Sequence, residues 1–164
     1  MATCYRDIGN MRYQHHQRAP NSVTVAYSLF LATVTLIPLI SALIAAEPAS
    51  SQVIFWRSFS IAVPMVIGLL GSMFLEATTV VTDEYFEFKF RYGWVRTKLF
   101  RHEIASHQMR DVSQWWGLGV RGIPGGWLWR IWGRSCVEIH KIKGGKRLVI
   151  GTDDPEGLSQ ALSN

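Results

Sequence analysis

Residues 23–46 read VTVAYSLFLATVTLIPLISALIAA, and residues 53–75 read VIFWRSFSIAVPMVIGLLGSMFL. The first stretch holds 24 residues without a charge, roughly 36 Å of helix at the standard rise, which exceeds a hydrocarbon core of about 30 Å. The second carries Arg57 four residues after its start, then 18 uncharged residues from Ser58 to Leu75, roughly 27 Å of helix. Between them, Glu47 to Gln52 contains Pro48 and is too short to be a domain. The chain is therefore expected to turn straight back, making a transmembrane helical hairpin of residues 23–76. Pro38 and Pro64 fall inside the spans, where neighbouring groups in a membrane satisfy the carbonyls a proline frees. Arg18, Trp56 and Arg57 stand close to span ends and are expected at the membrane interface, because long basic side chains snorkel and tryptophan favours the headgroup level.

The net charge of +5 is unevenly spread. Arg6, Arg12 and Arg18 precede the first span, Lys89, Arg91, Arg96, Lys98 and Arg101 follow the second, and the link has no Lys or Arg. The excess of basic residues on cytoplasmic segments then predicts that both termini are cytoplasmic. Residues 1–22 form a cytoplasmic tail and 77–164 a cytoplasmic domain in this reading. Basic residues ahead of an apolar run also open a secretory signal, but this run is longer than a signal's apolar region and reads as an anchor. Cys4 and Cys136 have no partner at ligand spacing, so both are expected to be free thiols.

After Glu76 the pattern changes to alternation, the mark of half-buried strands. Phe86, Phe88 and Phe90 share one face of Tyr85 to Arg91, and Glu87, Lys89 and Arg91 share the other. A preceding strand at 78–82 meets it through Asp83-Glu84. Further strands are expected at 95–100, 104–109, 127–131, 136–142 and 146–151, with Gly144-Gly145 as a hairpin turn. Thr152-Asp-Asp-Pro-Glu156 is a helix start with a capping side chain and proline in the first turn, leading to a short helix ending near Leu162. Seven antiparallel strands without βαβ alternation point to a barrel or bent sandwich capped by that helix.

This order of elements after a two-helix hairpin resembles the bacterial pleckstrin-homology-like domains of small membrane proteins. The segments that carry the resemblance are Trp116-Gly-Leu-Gly-Val-Arg-Gly122, Pro124-Gly-Gly-Trp127 and Ile150-Gly-Thr-Asp-Asp-Pro-Glu-Gly157. The resemblance implies a seven-stranded barrel with a C-terminal helix, a role in binding rather than chemistry, and the bacterial inner membrane as location. Domains of this kind that hold inositol phosphates use basic residues between the first two strands. The corresponding turn here is Asp83-Glu84.

Gly117-Leu-Gly-Val-Arg-Gly122 matches GxGxxG, but no helix follows it, because Ile123-Pro-Gly-Gly126 interrupts the chain. A glycine-rich loop between strands is expected instead. Trp115, Trp116, Trp127, Trp129 and Trp132 are interleaved with Arg121, Arg130 and Arg134. Tryptophan suits cores, membrane interfaces and contact hot spots alike. Trp127 and Trp129 are expected in the core, while Trp115 and Trp116 are divided evenly between core and surface. The candidate partner- or lipid-binding set is Trp115, Trp116, Arg121, Trp127, Arg130 and Trp132.

No His, Cys or carboxylate grouping has metal-ligand spacing, no histidine lies in either span to ligate a haem or pigment, and no nucleophile elbow or phosphate loop appears. Asp153 and Asp154 stand beside Pro155 and read as helix-capping residues rather than catalytic acids. No cofactor, metal, nucleic acid or small-molecule substrate is expected. The expected function is that of a non-catalytic accessory subunit of a larger membrane complex (respiratory, photosynthetic or transport), contacting other membrane subunits and the bilayer. The alternative is an autonomous sensor or adaptor that binds anionic lipid or peptide at the membrane surface.

Overall fold

The computed structural model describes residues 10–44 and 50–163. Cys4, Arg6, the expected end of the first span at Ala45 and Ala46, and the link up to Ala49 lie outside the described residues. The chain divides into two compact units, Ala19–Met73 on its own and Met1–Arg18 together with Phe74–Asn164.

The first unit contains α1 (Asn21–Ile44) and α2 (Ser51–Ser72). Ser50 caps α2, its Oγ accepting from the Val53 amide at 3.5 Å. Both helices are long and apolar enough to cross a membrane. They touch along one seam. Tyr27 Oη donates to the Gly68 carbonyl at 2.5 Å. A Cβ on Gly68 would stand 2.5 Å from Leu31 Cδ1, and one on Gly71 would collide with the Tyr27 hydroxyl. These glycines permit the close approach that apolar helices use when water does not drive them together. Away from the seam the helices are bare: Leu29, Phe30, Leu43, Phe55 and Ile67 are all exposed. The hydroxyls of Ser28, Thr33, Thr35, Ser41 and Ser60 donate to carbonyls one turn back, so these groups need no water.

The second unit holds nine strands among the described residues, in two sheets. The first sheet is built in order from β1 (Met11–Arg18), β2 (Glu76–Thr82), β3 (Tyr85–Phe90) and β4 (Arg96–Phe100), all antiparallel. The second contains β5 (Ile104–Asp111), β6 (Gly119–Ile123), β7 (Gly126–Arg130), β8 (Ser135–Lys141) and β9 (Arg147–Gly151), in the order β5-β8-β9-β7-β6. α3 (Pro155–Ser163) packs against β1 and β2 of one sheet and β5 and β8 of the other. Asp154 caps it, its Oδ1 accepting from the Gly157 amide at 2.9 Å. At its other end Arg101 donates to the carbonyls of Ala161 and Leu162.

Four expectations need correction. Nine strands replace seven, and β7 pairs with β9 in parallel. Of the barrel and the bent sandwich expected, the barrel falls: the described residues form two separate sheets and no closed barrel. Residues 11–18 are a strand rather than part of a tail, with Arg18 opposite Glu76 and Gln14 opposite Val80. Residues 119–123 are a strand rather than a loop, paired with β7.

Phe86, Phe88 and Phe90 are buried as the alternation requires, but Tyr85 and Glu87 on the opposite face are buried too. The Lys98 ammonium lies over the Tyr85 ring at 3.6 Å, and Arg96 stands 3.9 Å from Glu87. Long basic side chains from β4 thus cover the outer face with their stems. A shallow groove of about 330 Å³ remains there, lined by residues that include Gln14, Val80, Glu87 and Lys89. The acidic turn between β2 and β3 is tied inward: Arg12 pairs with Asp83, and Thr82 Oγ1 accepts from the Tyr85 amide at 3.1 Å.

Because β1 and β2 bracket the hairpin and pair with each other, the chain enters and leaves the two helices at one edge of the sheet. Tags at the two termini are expected on the same side of sealed vesicles, and tags protected on opposite sides would contradict the pairing.

Candidate interaction surface

β7 reads Gly-Trp-Leu-Trp-Arg, so Trp127 and Trp129 share one face and Leu128 and Arg130 the other. Trp129 meets Phe88 at 6.1 Å and stacks with Phe90 at 5.9 Å, so the first face looks toward the other sheet. The second face is covered as well. Leu128, Val149, Cys136 and Val112 form a buried cluster against which Trp116 and Ile123 pack.

Arg130 holds this cover in place. It is fully buried, and its guanidinium donates to the carbonyls of Val112, Ser113 and Gly117. The Arg130 stem crosses Gly151, where a Cβ would stand 2.5 Å from Arg130 Cγ. Three carbonyls of one loop are thereby fixed by one planar, permanently charged fork. Leu118 follows between Gly117 and Gly119, whose φ angles of 78° and 85° are readily adopted only by glycine. The glycines of the GxGxxG match therefore shape the entry to β6.

The tryptophans of this region differ sharply in exposure. In the loop Trp115 is 94% exposed while Trp116 turns inward; Trp127 on the opposite face of β7 is 51% exposed, and Trp132 after β7 is 37% exposed. Arg121 is exposed and donates to the Trp116 carbonyl at 2.8 Å. Arg130 must be withdrawn from the expected contact set, because its donors face the loop interior. Trp127 was expected in the core and is half exposed. Of the expected interfacial residues, Trp56 is exposed among Phe55 and Phe59, Arg57 is half-buried, and Arg18 stands 3.4 Å from Glu76. Sequence reasoning missed Trp94, which is 77% exposed beside Tyr92 at 6.2 Å. The signal was available in Tyr92-Gly93-Trp94, aromatic residues flanking a glycine between two alternating strands.

Polar groups on the covered face of the second sheet converge on Glu138. Its carboxylate accepts from Arg110 at 2.9 Å and Arg147 at 3.1 Å, and His140 stands 3.3 Å away. Burial alone would raise the Glu138 pKa, but the hydrogen bonds and charges of the two arginines outweigh it and hold the carboxyl below its ordinary value. Burial pushes the Cys136 thiol up to about 11, against the pull of Arg130, so it stays protonated and unreactive. At the other end of the unit, burial and the neighbouring Asp154 raise the Tyr13 phenol, which donates to Asp154 Oδ2 at 3.0 Å. His15 contacts Asp153, which ties β1 to the start of α3. Among the described residues no three His, Cys, Asp or Glu side chains come together as metal ligands.

Comparison with known protein families, with curated proteins and with solved structures finds no match for the chain.

Two substitutions separate scaffold from surface. Arg130→Met leaves loop carbonyls without donors and is expected to destabilise by about 2–4 kcal/mol, with early proteolysis between residues 112 and 118. Trp115→Ala is expected to change stability by less than about 0.5 kcal/mol. Thermal unfolding of the detergent-solubilised chain checks both. Glu138 contributes stability above the ordinary glutamate pKa of about 4.3, and that contribution is lost as pH falls through its lower folded value. Glu138→Gln should therefore melt lower at neutral pH and show a shallower decline on acidification than the parent chain.

Proposed function

We propose that the protein is a non-catalytic, membrane-anchored interaction module, an accessory subunit that stabilises a larger membrane assembly. The observation that supports this reading is the pairing of β1 with β2 at the root of an apolar hairpin. Two adjacent, paired strands of the β unit lead into both helices. Any partner packing on the hairpin is thereby linked to any partner engaged by the β unit.

Two surfaces suit such contacts. The hairpin exposes apolar side chains everywhere outside its Tyr27–Gly68 seam, as a helix pair does when lipid or other helices cover it. The β unit exposes Trp115 on the loop held by Arg130 and Trp127 on the opposite face of β7, and exposed tryptophans act as contact hot spots. The excess of Lys and Arg in the segments flanking the hairpin favours cytoplasmic termini, and the resemblance to bacterial membrane proteins is what suggests the inner membrane of a bacterium. The terminal helix bridging two sheets supports kinship with pleckstrin-homology-like scaffolds, from which the parallel β7–β9 pair is a departure.

Purification of the tagged chain in mild detergent, followed by mass spectrometry, tests the proposal. Membrane subunits in stoichiometric amount are expected, with recovery reduced severalfold by Trp115→Ala combined with Trp127→Ala. Recovery of the chain alone would count against it.

A further inference from the structure

The β3–β4 turn lies at the sheet edge where the chain departs for the helices. The Arg91 amide donates to the Glu76 carbonyl at 2.9 Å, and the turn is closed by Phe90 N–H to Val95 O at 3.0 Å and Gly93 N–H to Phe90 O at 2.7 Å. Glu76 is itself opposite Arg18 in the β1–β2 register. Arg18 precedes the first residue of α1 by three positions, and Glu76 follows the last residue of α2 by four. Covalent geometry alone then keeps both strand ends within roughly 11–15 Å of the helices.

This edge displays exposed aromatic and basic side chains together. Trp94 is 77% exposed and Tyr92 44% exposed at the tip of the turn. Around them the side chains of Arg18 and Arg96 are 71% and 63% exposed, and Arg91 is 44% exposed with its guanidinium near the Tyr92 ring. With Lys89, these cations outnumber the neighbouring Glu76 and Glu87, so the edge is net positive. An exposed tryptophan is poorly placed in water, yet its ring suits the headgroup layer, and arginines beside it meet lipid phosphates.

We infer that the Tyr92–Trp94 tip is a membrane-surface contact, in which Trp94 enters the headgroup region and Arg18, Arg91 and Arg96 meet anionic phosphates. This rests on the reading of the hairpin as membrane-spanning. It gives the β unit its own attachment to the bilayer, beyond the two chain segments that lead into the helices.

Tryptophan quenching by brominated lipid in vesicles of phosphatidylcholine and phosphatidylglycerol tests this on the full chain. Trp94→Phe and Trp56→Phe are each compared with the parent, and the difference isolates each tryptophan's emission. Trp94 emission is expected to be quenched, more by brominated phosphatidylglycerol than by brominated phosphatidylcholine, with the gap narrowing at high salt as charges are screened. If Trp56 is quenched and Trp94 is not, the tip does not touch the bilayer and the inference is overturned while the anchored module stands. If neither is quenched, the membrane reading of the hairpin falls with it. Equal quenching of Trp94 by the two lipids at all salt concentrations would overturn the role given to the arginines.

Discussion

The antiparallel ladder between β1 and β2 governs the architecture more than any other contact. It joins segments separated in sequence by the entire helical unit, from Arg18 to Glu76, and makes one sheet from pieces that lie on either side of it. Without the helices bringing the ends together, closing such a loop would cost about 3–4 kcal/mol in chain entropy. A helix pair that returns on itself along the Tyr27–Gly68 seam removes much of that cost in advance. Hairpin and sheet therefore support each other, although they contribute to separate units.

The second sheet shows how a small β unit accommodates buried charge. With one face toward Phe88 and Phe90 and the other under the 112–118 loop, it has little wet surface in its middle strands. Arg130 and Glu138 are both buried on the covered face, and both are saturated with partners: loop carbonyls for the arginine, two arginines for the glutamate. A buried charge so satisfied adds little net stability but strongly disfavours alternatives that would leave it unpaired. That explains why a flexible-looking, glycine-containing loop adopts one path.

Much of this was legible in the sequence. The two apolar runs, the Phe86-Phe88-Phe90 alternation, the Gly144-Gly145 turn and the capped start of α3 all rest on local rules and appear where those rules place them. β1 was hidden because Met-Arg-Tyr-Gln-His-His-Gln-Arg has few apolar residues on either face, and its strand character comes from a partner far along the chain. β6 was hidden by its two glycines and an arginine. The role of Arg130 was misread because alternation presumes that one face of a strand is wet, and β7 is covered on both sides at that position. Trp127 erred in the opposite direction: it shares a face with Trp129, yet only Trp129 lies against the phenylalanines.

The position of β1 ahead of both helices also sets an order of assembly. A ribosome releases this strand first, and it waits as an orphan until α1, α2 and finally β2 have followed. Its polar character fits that interval, since an unpaired strand rich in Gln, His and Arg resists sticking to other chains. Closure of the sheet then waits on completion of both helices; a chain ending before β2 would keep β1 solitary.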